Sequence, residues 1–220
     1  MARLARLVVP GYPHHITQRG VRSMDIFADD QDRQCYLRFM VEEAERFGVT
    51  FLGWCLMTNH VHLIAVPQQE DSLARAIGEA HRRYTRMKNF RAGVRGYLFQ
   101  GRFNSCVLDQ QHLLAAGRYV ERNPVVAKMV DKPQEYFWSS CRYHCGLTER
   151  DPLVRERALS ELVEDWAAFL ANFDDEEAKN ISGQTRSGRP LGDERFLLQM
   201  EILTRRALRA KPAGRPLMLK

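Results

Sequence analysis

The chain has 220 residues, 45% of them hydrophobic, with 33 Lys or Arg against 27 Asp or Glu and a pI near 9.2. That is enough length and apolar content for one sizeable domain with appendages, and a continuous apolar run long enough to cross a membrane is absent. The basic balance favours an anionic partner, most often nucleic acid.

The five cysteines, Cys35, Cys55, Cys106, Cys141 and Cys145, are odd in number and scattered, which is not a disulfide framework. Cys141 and Cys145 flank His144 without a second ligand cluster, so a zinc site is not expected there. The apolar start before Pro10 is too short for a secretory signal, and the expected location is a reducing cytoplasm.

Residues 12–20 read as a first strand, turned at Gly20. His14 and His15 are adjacent and face opposite sides, each more naturally packed or solvent-facing than a ligand. Asp29-Asp30 starts a helix whose apolar set is Tyr36, Phe39, Met40, Ala44 and Phe47, and Gly48 ends it. Two strands follow, 49–57 and 60–67, joined tightly at Thr58-Asn59. Asp71-Ser72 opens a second helix with Leu73, Ile77, Ala80, Tyr84 and Met87 as its stripe. Residues 97–108 read as a fourth strand, irregular at Gly101. A third helix runs from about Asp109 to Arg122, with Pro124 expected to stop it near Asn123.

The order β-α-β-β-α-β plus a helix is an α+β, ferredoxin-like pattern: an antiparallel sheet with helices on one face and the first and third strands central. That arrangement leaves one sheet face free for chemistry. Residues 131–152 read as an extended wrap, 157–173 as a helix, 181–190 as a mobile Gly/Ser-rich stretch, and 191–210 as a last helix. Between Gly183 and Lys220 there are nine Lys or Arg against three Asp or Glu, and the tail closes on Gly214-Arg215-Pro216, either solvated or laid in a nucleic-acid groove. The expected division is a domain over 1–150 and a helical, basic, partly mobile extension over 151–220.

His60 and His62 project from one face of the third strand, and two neutral imidazoles side by side suit a shared metal ion. The plainer reading is two half-buried histidines bonded to backbone or water. A metal on a basic protein suggests phosphoryl chemistry, and tyrosine is a candidate nucleophile because a phenol can form a phosphate ester. Tyr84 lies on its helix's apolar stripe and reads as core; Tyr119 lies four residues before Asn123, on one helical face. Tyr119 can equally be a core tyrosine and Asn123 a helix-terminal residue before proline.

The segment Met57-Thr58-Asn59-His60-Val61-His62-Leu63 resembles the HUH motif of single-tyrosine transposases, and Tyr119-Val120-Glu121-Arg122-Asn123-Pro124 resembles their tyrosine helix. More narrowly, His14-His15-Ile16-Thr17-Gln18-Arg19-Gly20, Phe99-Gln100-Gly101-Arg102-Phe103 and Trp138-Ser139-Ser140 are similar to the REP-associated tyrosine transposases, over roughly residues 10–145. Thr58 departs from a proline common in the family, at a turn rather than a ligand.

The resemblance implies that His60, His62 and Asn123 hold Mg²⁺ or Mn²⁺ and that Tyr119 attacks a DNA phosphodiester, giving a 5′-phosphotyrosine link and a free 3′-hydroxyl. The implied partner is single-stranded or hairpin DNA, handled by a monomer or homodimer. Arg19, Arg82, Arg83, Arg86, Arg102 and Arg118 are the expected DNA-binding residues. Two functional alternatives are a hairpin-binding protein that does not cut and a metal-dependent nuclease that uses water; a third is a ferredoxin-like regulator with core histidines.

Overall fold

The computed structural model describes residues 6–172 and 175–209. Its sheet has four antiparallel strands, β1 (His14–Arg19), β2 (Val49–Leu56), β3 (His60–Pro67) and β4 (Asn104–Val107), in the order β2-β3-β1-β4. The ferredoxin-like α+β expectation holds, with β1 and β3 central.

Helix α1 (Asp30–Phe47) begins where the Asp29 side chain accepts from the Asp32 N–H, and ends at Gly48, whose φ of 64° is left-handed. Helix α2 (Ser72–Ala92) packs beside α1 on one face of the sheet. The α1–α2 seam is closed by polar pairs: Asp32 with Lys88 at 2.5 Å, Glu43 with Arg83 at 2.6 Å, and Tyr36 Oη with His81 Nε2 at 2.9 Å. Tyr84 is fully buried and its hydroxyl donates to the Ile26 carbonyl at 2.6 Å, so it is a core residue.

The opposite face is covered rather than free. Helices α3 (Gln110–Val126), α5 (Trp166–Ala171) and α6 (Asp175–Ser187) pack over it, leaving an opening at one end of the central strands. The reason is apolar demand: Leu159, Trp166, Leu170, Ile181 and Leu191 join the same hydrophobic cluster as the strands. Residues 181–190 are therefore not a free stretch, since α6 runs to Ser187 and buries Ile181 and Thr185. Of the segment expected as a helix over 157–173, the described residues 157–172 hold a 3₁₀ turn (Ser160–Leu162) and α5, a broken version of that helix. Helix α7 (Glu194–Thr204) packs Phe196 and Met200 against Leu7, Val9 and Val107. The Gly-Arg-Pro tail lies outside the described residues.

Two further departures have local causes. β4 is short because pairing breaks at Gly101, at φ 65°; Phe99 and Gln100 still pair with the end of β1, through a Gly20–Phe99 bridge and a 2.8 Å bond from the Gln100 N–H to the Arg19 carbonyl. α3 passes through Pro124 and closes after Val126, where the N–H groups of Ala127, Met129 and Lys128 take the carbonyls of Asn123, Pro124 and Val125.

The wrap over 131–152 includes a short helix, α4 (Cys141–His144), and runs along the outer edge of β2. The Leu56 N–H donates to the Trp138 carbonyl and the Ser140 N–H to the Trp54 carbonyl, so Trp138-Ser139-Ser140 closes an edge that would otherwise offer unpaired backbone. Glu121 of α3, buried at 1% exposure, ties these pieces together: it accepts from Ser140 Oγ and His144 Nδ1 at 2.6 Å each and from Trp166 Nε1 at 2.7 Å.

Candidate active site

At the opening lies a cavity of about 720 Å³, lined by residues from β1, β3, the 100–104 segment, α3 and α6. Its chemistry follows from strand alternation. Thr17 pairs with His62 and Arg19 with His60 across the β1–β3 ladder, so all four side chains lie on the face that α3 covers. His15, two residues from Thr17, shares that face, and the diagonal across the ladder brings its ring edge to edge with His62: centroids 5.4 Å apart and planes within 7°. The His60 and His62 rings are 5.0 Å apart.

Tyr119 descends from α3 onto this group. Its ring meets His62 edge-on at 5.4 Å and His15 at 5.6 Å. Asn123, one turn on, also lines the cavity. Its amide nitrogen donates to the Tyr119 carbonyl at 2.7 Å, which leaves the amide oxygen as its acceptor end.

Burial and neighbouring positive charge keep the imidazoles neutral. Burial first, then the Arg19 charge, lowers the His60 pKa to about 4. Burial, followed by His60, His15 and Arg19, holds His62 well below the usual range. His60 Nδ1 lies 2.6 Å from Asn59 Oδ1, an atom that only accepts, so the ring carries its proton on Nδ1 and offers a lone pair at Nε2. Among the described residues, His62 Nε2 is buried without a hydrogen-bond partner, and so is Gln18 Oε1 on the cavity wall.

Those are the features a divalent cation would use. Among the described residues no three His, Cys, Asp or Glu side chains converge as a metal set. An ion here would draw on His60, His62 and an amide oxygen, and Asn123 presents one. Arg19, Arg102 and Arg186 line the same cavity and, among the described residues, no Asp or Glu does, which suits an anionic substrate.

A family model for IS200-like transposases matches residues 10–123, just over half of the chain. The chain belongs to the IS200-like transposases. No curated protein sequence matches it. Among solved structures, it is similar to a REP-associated tyrosine transposase bound to a REP hairpin: TM-score 0.58, 14% identity, covering 76% of this chain and 96% of that one. At that identity the likeness speaks for the fold.

Within this IS200-like chain the arginines singled out from sequence have separate places. Arg19 and Arg102 reach the cavity. Arg82 and Arg86 line a second, more open groove of about 900 Å³ with Arg95 and the 90% exposed Tyr97; it meets the first cavity at Gln18, Gly101 and Arg102. Arg83 points to α1, paired with Glu42 and Glu43. Arg118 pairs with Glu177 at 2.5 Å and lies over the Phe169 ring, away from the cavity. His15, read from the sequence as packed or solvent-facing, is packed against His62, and two cavity residues went unread in the sequence: Ser182 and Arg186. The last two sit on α6, whose glycine and serine content conceals the buried pair Ile181 and Thr185 one turn apart.

Among the described residues no helix is long and apolar enough to cross a membrane.

Proposed function

We propose that this IS200-like transposase is a metal-dependent endonuclease and strand transferase of the REP-associated type, acting on single-stranded DNA at hairpin-forming repeats through a covalent 5′-phosphotyrosine intermediate. One observation carries the reading: the Tyr119 ring stands against His62 in a basic cavity whose histidines are neutral and present lone pairs. The solved relative in fold is bound to a REP hairpin, which supports the same substrate class here.

His60 and His62, with the amide oxygen of Asn123, would hold Mg²⁺ or Mn²⁺; when bound, the ion polarises a phosphate oxygen and offsets charge in the displacement. Arg19, Arg102 and Arg186 draw the phosphodiester into the cavity and steady its oxygens. Tyr119 Oη gives up its proton as it forms the new P–O bond, the P–O3′ bond breaks, and the departing 3′ oxygen takes up a proton, so protons balance. One ester replaces another, so rejoining a strand needs no nucleotide cofactor. The second groove, with Arg82, Arg86, Arg95 and Tyr97, holds the flanking DNA by charge and stacking.

The test is a denaturing gel with labelled hairpin DNA from repeats flanking the gene, with Mg²⁺ or Mn²⁺. The expected product is a metal-dependent protein–DNA adduct, lost in Tyr119→Phe and His62→Ala. Cleavage without an adduct makes water the nucleophile, and a binding shift without cleavage leaves a recognition protein.

A further inference from the structure

His15 lies outside the HUH pair, and Thr185 lies far downstream of it in the chain, yet both are buried in one hydrogen-bonded chain that ends on His62. We infer that Thr185 and His15 form a relay that holds His62 in its Nδ1-protonated tautomer, so that its Nε2 lone pair faces the cavity. This rests on the metal-site reading above and names two residues that prepare that site.

The argument is a count of protons. Thr185 Oγ1 has three neighbours: the Ile181 carbonyl at 2.8 Å, His15 Nδ1 at 2.7 Å and Cys106 Sγ at 3.2 Å. A hydroxyl has one proton and two lone pairs. The carbonyl can only accept, so it takes the hydroxyl proton. The other two neighbours must then donate. Cys106 can, because burial raises its pKa to about 12 and keeps it a thiol. His15 Nδ1 therefore carries a hydrogen. His15 is fully buried and its two ring partners, a hydroxyl and an imidazole, offer no negative charge, so the ring is neutral and its Nε2 is bare. That bare nitrogen lies 3.1 Å from His62 Nδ1 and can only accept from it. The His62 proton thus sits on Nδ1, and Nε2, which has no partner among the described residues, is left with its lone pair. Asn59 does the same for His60 from the other side. Reversing the relay would put a proton on His62 Nε2 and block it as a ligand.

His15 and Thr185 are positioning residues, since neither has a free atom to offer the ion. Helix α6 thereby brings one hydroxyl to the HUH strand pair, and that hydroxyl sets the direction of the whole chain of hydrogen bonds. Loss of such an outer partner ordinarily weakens metal binding 10- to 100-fold.

The experiment uses the full chain and two readouts other than activity. Long-range ¹H–¹⁵N spectra of the metal-free protein report the His62 tautomer, and calorimetry with MnCl₂ reports affinity. Wild type is expected to show His62 protonated on Nδ1. Thr185→Val, nearly isosteric but without the acceptor oxygen, and His15→Phe, which keeps a ring, should give mixed tautomers and Mn²⁺ affinity reduced about 10- to 100-fold. Thr185→Ser and His15→Gln restore an acceptor and should return affinity to within about threefold of wild type. A wild-type His62 protonated on Nε2, or a tautomer unchanged in both Thr185→Val and His15→Phe, overturns the relay. Absence of Mn²⁺ binding by wild type defeats the metal-site reading instead, and the tautomer spectra still decide the relay.

Discussion

The two faces of the sheet are both buried, yet they treat polar groups differently. On the α1–α2 side the principal polar groups find partners: Asp32 meets Lys88, Glu43 meets Arg83, and His81 takes Tyr36. On the α3–α6 side the pairing stops short at His62 Nε2, which lines the cavity and has no partner among the described residues. A buried acceptor without a partner costs roughly 1–3 kcal/mol. Burial of histidine is therefore no sign of function by itself. A relay of paired atoms ending in an unpaired one is the informative feature.

The largest expected effect comes from breaking the open face at its proposed nucleophile. Tyr119→Phe should lower adduct formation by at least ~10³-fold while leaving urea unfolding unchanged, because the ring stays and only a cavity-facing hydroxyl is lost. A gel of covalent product beside an unfolding curve checks both halves.

Acid should act on both faces at once. Burial lowers the pKa of His14 to about 4 and of His15 and His81 to about 3. The unfolded chain then binds more protons than the folded one between the ordinary value near 6.5 and these lowered values. The stabilisation is complete above pH 6.5 and is lost as pH falls through that window, by up to ~1.4 kcal/mol per pH unit for each such histidine. Urea unfolding at pH 7.5, 6 and 5 should show the loss, and His81→Gln should flatten it.

Breaking the closed face should cost stability alone. Lys88→Met removes the nearest cation from Asp32, which is 2% exposed, and should cost about 1–3 kcal/mol in unfolding without changing hairpin affinity. Arginines give the converse. Arg102→Ala and Arg186→Ala should each weaken hairpin binding by about tenfold at moderate salt and reduce the salt slope by about 1, whereas Arg83→Ala should leave the slope unaltered. The smallest effect belongs to Tyr84→Phe, which should cost about 1 kcal/mol through the lost bond to Ile26 and leave the adduct intact.

Much of the fold was legible because it is written in short-range patterns. The alternation through His60 and His62, the helical stripe ending at Gly48 and the stripe from Leu73 to Met87 are local signals. Long-range packing was not. Thr185 meets His15 across 170 positions, and no spacing rule spans that distance. The glycine in α6 weakens the helix by roughly 1 kcal/mol, but burial of Ile181 outweighs it. Arg82, Arg83 and Arg86 look like one basic cluster in sequence, yet consecutive helical residues diverge by about 100°, so Arg83 faces Glu43 while its neighbours face the groove.

The buried carboxyl group of Glu121 sits two residues from the tyrosine and accepts from a serine and a histidine of the 131–152 wrap and from the indole of α5. Rotating or sliding α3 as a lever would break all three bonds in a dry interior, at a cost of several kcal/mol. The proposed nucleophile therefore rides on an anchored arm, and in a strand exchange of the kind proposed it is the DNA ends that would travel.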